Sequence, residues 1–182
     1  MFDDPSRELE RLQKELLAAQ EPPEEAEDEI DPDQALEDIR RVGELPGRKL
    51  LLRGNHDYWW SAIGRVRRAL PEGMFAIQND CIQLDGVLFA GTRGWTIPAG
   101  EHPDPDDVRI YQRERMRLEM SLKEARRRDA EAPLVAMMHY PPRIEFDAGF
   151  TDILARYGVS DCVYGHLHGA GLYSAIRGER DG

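Results

Sequence analysis

The amino-acid sequence predicts a layered α/β sandwich, and three observations carry that expectation. Short apolar runs of strand length interleave with stretches whose apolar residues recur at helical spacing. Gly, Pro, Asn-Asp and Asp-Gly punctuate the joins between them. Three of the strand-length runs stop at Gly54, His139 and Gly165, and each is followed at once by polar residues. In α/β sheets, that C-terminal edge is where functional side chains collect.

The first 32 residues stand apart from this pattern. Ser6 is placed to cap a short helix in which Leu9, Leu12, Leu16 and Leu17 form a narrow apolar stripe. The acidic run Glu-Pro-Pro-Glu-Glu-Ala-Glu-Asp-Glu at 21–29 then breaks any regular period and reads as a solvated linker. Residues 1–32 are therefore expected to be an acidic, partly helical extension, and 33–182 the folded domain. Within it, Ala35, Leu36, Ile39 and Val42 mark a helix over 33–42, closed by Gly43 and Gly47. Leu50, Leu51 and Leu52 make a short buried strand within 49–53, and a helix over about 60–70 follows. Strands near 75–77, 82–84 and 87–90 read as a meander or hairpins, because Asn79-Asp80 and Asp85-Gly86 separate them. A long, highly charged helix spans 106–130, with Ile110, Met116, Met120 and Leu122 among its apolar positions. A strand at 134–138 ends on His139, a helix covers 150–157, and a strand at 159–164 ends on Gly165. A last strand is expected at 172–176. No internal repeat is present.

Bulk properties narrow the function classes. At 182 residues, 41% hydrophobic and 8% aromatic, the chain suits one globular domain with one sizeable core. Its net charge of -11, from 35 acidic against 24 basic residues, argues against a general nucleic-acid binder. The same balance suits an anionic ligand held by bound cations. Cys81 and Cys162 sit in separate apolar runs, so neither a disulfide framework nor a CxxC-type metal site is expected. Without a signal-peptide pattern or an apolar run of roughly 18 residues, a soluble cytoplasmic protein is the expectation.

Histidine placement points to chemistry. Of five histidines, His56, His139, His166 and His168 fall in the three strand-end loops. His102, in Gly-Glu-His-Pro-Asp-Pro, reads as an ordinary loop residue. Neutral imidazole is the commonest protein metal ligand. In an extended segment His166 and His168, two apart, would face one side, with Leu167 on the other. Gly165 and Gly169 would allow the close backbone approach.

Gly-Asn-His-Asp at 54–57, His139 at a strand end and Gly-His-Leu-His at 165–168 resemble, in order and spacing, the calcineurin-like metallophosphoesterases. The segments at 54–60, 91–95 and 138–142 are most similar to an uncharacterised prokaryotic branch, and the resemblance covers roughly residues 30–176. It implies an α/β/β/α sandwich and a metal-dependent phosphoesterase that attacks a phosphomonoester or phosphodiester with water activated by two metals. It further implies that Asn55, His139 and His166 ligate one divalent ion and His168 its neighbour. His56 would protonate the leaving group, Asp57 would hold His56 in its tautomer, and Arg93 would contact the phosphate. Tyr58, Trp59 and Trp60 read either as core anchors or as part of the substrate cleft, the first being favoured.

The family's opening Asp-x-His and Gly-Asp motifs do not stand in this sequence, so the first strands are expected to be missing and one sheet edge exposed. Glu29 or Asp31, in Asp-Glu-Ile-Asp, would be the replacement for the bridging carboxylate. Three readings follow: a working phosphoesterase that rebuilds the site with Glu29 or another subunit's residues, a truncated or diverged relative that binds one metal with little catalysis, and a non-catalytic interaction module. One or two divalent ions are expected, with Mn, Fe, Zn, Co and Ni all compatible with N/O ligands. The partner is a phosphorylated substrate whose identity the sequence does not select.

Overall fold

A computed structural model describes residues 32–60, 62–142, 149–175 and 177–178. Of the helix and linker expected over 1–32, residues 1–31, with Glu29 and Asp31, lie outside the described residues.

Helix α1 (Pro32–Gly43) turns Ala35 and Ile39, one turn apart, into the protein, while Val42 is exposed despite its helical spacing. Strand β1 (Lys49–Leu52) runs parallel to β2 (Met74–Ile77), with Lys49 opposite Met74 and Leu52 opposite Ile77. Parallel neighbours need a crossover, here containing α2 (Ile63–Ala69). Val66 of α2 packs with Trp60 and Ala76 in a small core of its own.

The second sheet has the order β3-β4-β5-β6. β3 (Cys81–Leu84) and β4 (Val87–Thr92) form an antiparallel hairpin. Its turn, Asp85-Gly86, has φ of 50° and 82°, the left-handed pair that a two-residue hairpin demands. β5 (Leu134–Met138) and β6 (Asp161–Tyr164) add on in parallel. The crossovers between these parallel strands carry α3 (Pro105–Arg128) and α4 (Phe150–Arg156). Leu88, Ala90, Leu118, Leu122, Ala125, Leu134 and Ala136 are fully buried between this sheet and α3. The result is the expected layered α/β sandwich. Among the described residues, no helix is long and apolar enough to cross a membrane.

Helix α3 starts cleanly because Asp104 accepts from Asp106 N at 2.7 Å and Pro105 occupies its first position. At its far end Arg126 donates to four carbonyls, those of Ala130, Ala132, Tyr157 and Gly158. That arginine fastens the helix to the turns before β5 and β6.

Some elements differ from expectation. β2 does not continue into β3 as a meander. Asn79 takes φ 60°, and Ser121 Oγ donates to Asp80 O at 2.5 Å, turning the chain out of one sheet and into the other. The helix expected from Trp60 begins at Ile63, and the strand expected from 159 begins at Asp161. The strand expected at 172–176 is replaced by a 3-10 helix, Gly169–Ser174. Gly169 has φ 54°, and Gly171 N donates to His168 O at 3.0 Å, a local three-residue closure that removes the backbone from pairing. Leu172 and Tyr173 consequently project into solvent, as does Met120 on α3. Among the described residues, no strand pairs with the edge of β1 opposite β2.

β4 and β5 approach so closely that a Cβ at Gly91 would lie 1.9 Å from Met137 O. Gly91→Ala is expected to cost about 3 kcal/mol or more, because backbone on both sides must move. Urea unfolding monitored by tryptophan fluorescence would show it. A midpoint equal to wild type would mean that the strands separate more easily than this contact implies.

Candidate metal centre

The site grows from three strand ends that hydrogen-bond to one another. After β1, Gly54 N donates to Asp57 Oδ2 at 2.6 Å, closing a tight turn over Asn55 and His56. Trp59 Nε1 donates to the other carboxylate oxygen at 3.1 Å. The hydrogen bonds found for Asp57 thus serve the loop; neither reaches the His56 ring. After β5, His139 N and Tyr140 N both donate to Arg93 O, at 3.1 and 2.9 Å. After β6, Gly165 N donates to His139 O at 3.2 Å. His139 is bonded on both sides of its peptide.

Gly54 is required by space. A Cβ there would meet the His139 ring at 3.0 Å and Asp57 Oδ2 at 3.2 Å. The glycine lets the imidazole lie directly on the turn. From this position His139 Nε2 sits 2.6 Å from Asn55 Oδ1 and 3.1 Å from His166 Nδ1. The 165–168 segment is not the extended strand that spacing suggests. His166 has φ 65°, a left-handed backbone that bends the chain out of β6 and turns its ring toward His139. His168 follows with its ring 6.4 Å from that of His166.

Electrostatics keep these donors in metal-binding form. Burial, followed by the neighbouring His166, pulls the His139 imidazole down to about 4. Burial also lowers His166, with His168 and His56 adding to it. Both rings are therefore neutral at pH 7, each with a lone pair to offer. Two nitrogens and an amide oxygen within 3.1 Å need a proton or a cation among them. Metal bonds of about 2.0–2.2 Å place neighbouring donors roughly 3 Å apart, which the separations of His139 Nε2 from Asn55 Oδ1 and from His166 Nδ1 match. Among the described residues, no group of three or more His, Cys, Asp or Glu converges on an ion, so this donor set depends on the Asn55 amide oxygen.

The remaining candidates distribute around this core. His56 and His168 are exposed beside it, and His102 is exposed on the loop before α3. Arg93 is only 6% exposed, with its guanidinium stacked 4.7 Å above Trp95. Tyr140 packs its ring 4.2 Å from His166 and 5.2 Å from Trp95, walling the site on the sheet side. Trp60 is a core anchor, 4% exposed, with Nε1 donating to Gln78. Trp59 stacks on it, and Tyr58 lies edge-on to His56 at 6.2 Å.

Sequence reasoning missed Arg53, Glu114 and Arg117. These line a cleft at the same sheet edge, together with Arg93. A signal for Glu114 was present. Ile110, Leu118, Leu122 and Ala125 set an inward stripe on α3, and position 114 falls within it. A carboxylate there had to have partners.

His139→Ala is expected to weaken Mn²⁺ or Zn²⁺ binding by more than about 100-fold, since it removes the donor nearest both others. Calorimetry on protein with an unchanged circular dichroism spectrum would measure it, and an unchanged affinity would exclude this centre. A second expectation concerns the metal-free protein. A histidine depressed in the folded state adds stability above its unfolded value of 6.5, and that stability fades as pH falls toward 4. Wild type should therefore lose stability over that window more steeply than His139→Ala in denaturant titrations.

A family model described as calcineurin-like phosphoesterase matches residues 22–170, a span that contains every strand-end motif above. No curated protein and no solved structure is significantly similar to the chain.

Proposed function

We propose, since the chain belongs to the calcineurin-like phosphoesterase family, that it hydrolyses a phosphomonoester or phosphodiester in a metal-dependent reaction. The observation that carries this reading is the convergence of Asn55 Oδ1 and His166 Nδ1 on His139 Nε2. Asn55, His139 and His166 would hold one divalent ion, and His168 would contribute to a neighbouring one. Such ions, when bound, supply Lewis acidity and lower the pKa of water toward neutrality. Mn, Fe, Zn, Co and Ni all suit this donor set.

The chain's own groups do the rest. His56 stands exposed on the loop that also carries Asn55, so its imidazole can give a proton to the departing oxygen. Asp57 holds that loop closed through Gly54 N and Trp59 Nε1, keeping His56 and Asn55 in fixed relation. Arg93, anchored through its carbonyl to His139 and Tyr140, would turn its guanidinium toward the phosphate. Tyr140, backed by Trp95, packs its ring against His139 and His166.

A second reading is a diverged relative that binds one ion with little turnover. It is favoured by one observation, the lack of a cluster of three or more His, Cys, Asp or Glu among the described residues.

The test is hydrolysis of p-nitrophenyl phosphate and bis-p-nitrophenyl phosphate by the purified chain with Mn²⁺, beside His139→Ala and an elemental metal count. Turnover at least about 100-fold above the variant, with two ions per chain, is expected from the two-ion reading. One ion and turnover no better than the variant's would leave the diverged relative standing. No ion and no turnover would remove both.

A further inference from the structure

Beside the metal centre, β1, β2, β4 and α3 meet around a small, open cleft. Arg53 enters it from the end of β1, Arg93 from the end of β4 and Arg117 from α3, with Asn79 from the turn after β2. One carboxylate, that of Glu114, lies among the lining residues. Its oxygens are already engaged. Thr92 Oγ1 and Gly94 N donate to Oε2, and Arg117 Nη1 donates to Oε1 at 2.6 Å. Glu114 is 1% exposed, so this network is a fixed floor that holds the Arg117 guanidinium in place. Arg93 is fixed as well, 6% exposed and stacked on Trp95.

Three guanidinium groups thus line one small cleft in a protein whose net charge is -11. Guanidinium forks match phosphate oxygens two at a time and are weakly hydrated, so a preorganised group of them is suited to a phosphate. The cleft and the metal centre are joined through the backbone. Arg53 lies two residues before Asn55, and the Arg93 carbonyl holds the peptides of His139 and Tyr140.

We propose that this cleft is a second anion subsite, and that the substrate carries a further phosphate group seated among Arg53, Arg93 and Arg117. The substrate half of this proposal rests on the phosphoesterase reading; the anion site itself needs no metal. The class is a bisphosphorylated ester, with one phosphate cleaved at the metal centre and the other gripped by the arginines. Arg53 and Arg117 are specificity-determining residues, and Arg93, at that backbone junction, orients the substrate between the two sites.

The experiment has a binding arm and a catalytic arm, both on the full chain. In the first, chelator-treated protein is titrated with pyrophosphate by calorimetry. Binding is expected in wild type and in His139→Ala. Arg53→Gln and Arg117→Gln should each weaken it by at least about tenfold, the loss of one charge-assisted contact, and Arg117→Lys should restore part of it. Arg53→Gln is the deciding variant if loss of the Glu114 partner unfolds Arg117→Gln. In the second arm, phosphate release from propane-1,3-diol bisphosphate is compared with that from propyl phosphate in the metal-loaded enzyme. The bisphosphate should be preferred in kcat/KM by about tenfold or more, and Arg53→Gln should reduce that ratio toward one. Pyrophosphate binding that neither arginine variant weakens would overturn the site. Binding without any bisphosphate preference would mark a site for a free anion and overturn the substrate assignment. No turnover of either ester, with metal-free binding intact, would support the anion site and count against the phosphoesterase reading.

Discussion

The peptide of His139 is bonded to two other strand ends at once, through its N–H to Arg93 O and through its carbonyl to Gly165 N. Its ring then rests on a third, because Gly54 leaves room for it. The arrangement explains why strands of four to six residues suffice to build a centre. None of β1, β4 or β6 needs to be long, since each has only to deliver one residue to a point already fixed by its neighbours. It also explains the burial that keeps the His139 imidazole neutral, because the close approach that positions the ring is what strips water from it.

A second constraint reaches the same edge from the helical layer. Glu114 spends a buried charge on α3, where a leucine would have packed with less desolvation. Thr92, Gly94 and Arg117 satisfy it from three directions. Through the first two, the helix grips the chain on both sides of Arg93, the residue whose carbonyl carries His139. Ser121, one face-repeat further along α3, does similar work by accepting from Gly91 N and donating to Asp80 O. The helix is therefore more than a cover for the sheet. It sets where β4 ends and where the chain leaves β2.

Much of this was legible in the sequence, and the reasons are local. The apolar run at 134–138 stops at a histidine and the strand expected over 159–164 stops at a glycine, so strand ends could be placed at His139 and Gly165. Asp85-Gly86 announced its hairpin through a backbone preference that few other pairs satisfy. What escaped was non-local. Nothing within 74–92 says that β2 pairs with β1 across a crossover while β3 turns back on β4. Leu172 and Tyr173 look like strand residues, yet two glycines close the chain into a 3-10 turn before any sheet can take them up. Glu114 sits in a run of charges, and only partners 20 or more residues away distinguish this buried charge from a solvated one. The family match over 22–170 agrees with the motifs that spacing made visible, while the arginine cleft has no motif.

The left-handed backbone at His166 acts as a filter on what can replace it. Apart from glycine, the side chains that enter that conformation with least strain are Asn, Asp and His itself. A β-branched or bulky apolar residue meets a backbone cost of order 1–3 kcal/mol before any question of ligation arises. The tolerated substitutes that still carry a donor exchange an imidazole nitrogen for an oxygen. Oxygen donors favour harder cations such as Mg²⁺, Ca²⁺ and Mn²⁺ over the borderline metals that imidazole suits. Drift at this position is thereby channelled: under the proposed ligation, a single φ angle would couple the mutational neighbourhood of the chain to the hardness of the ion held.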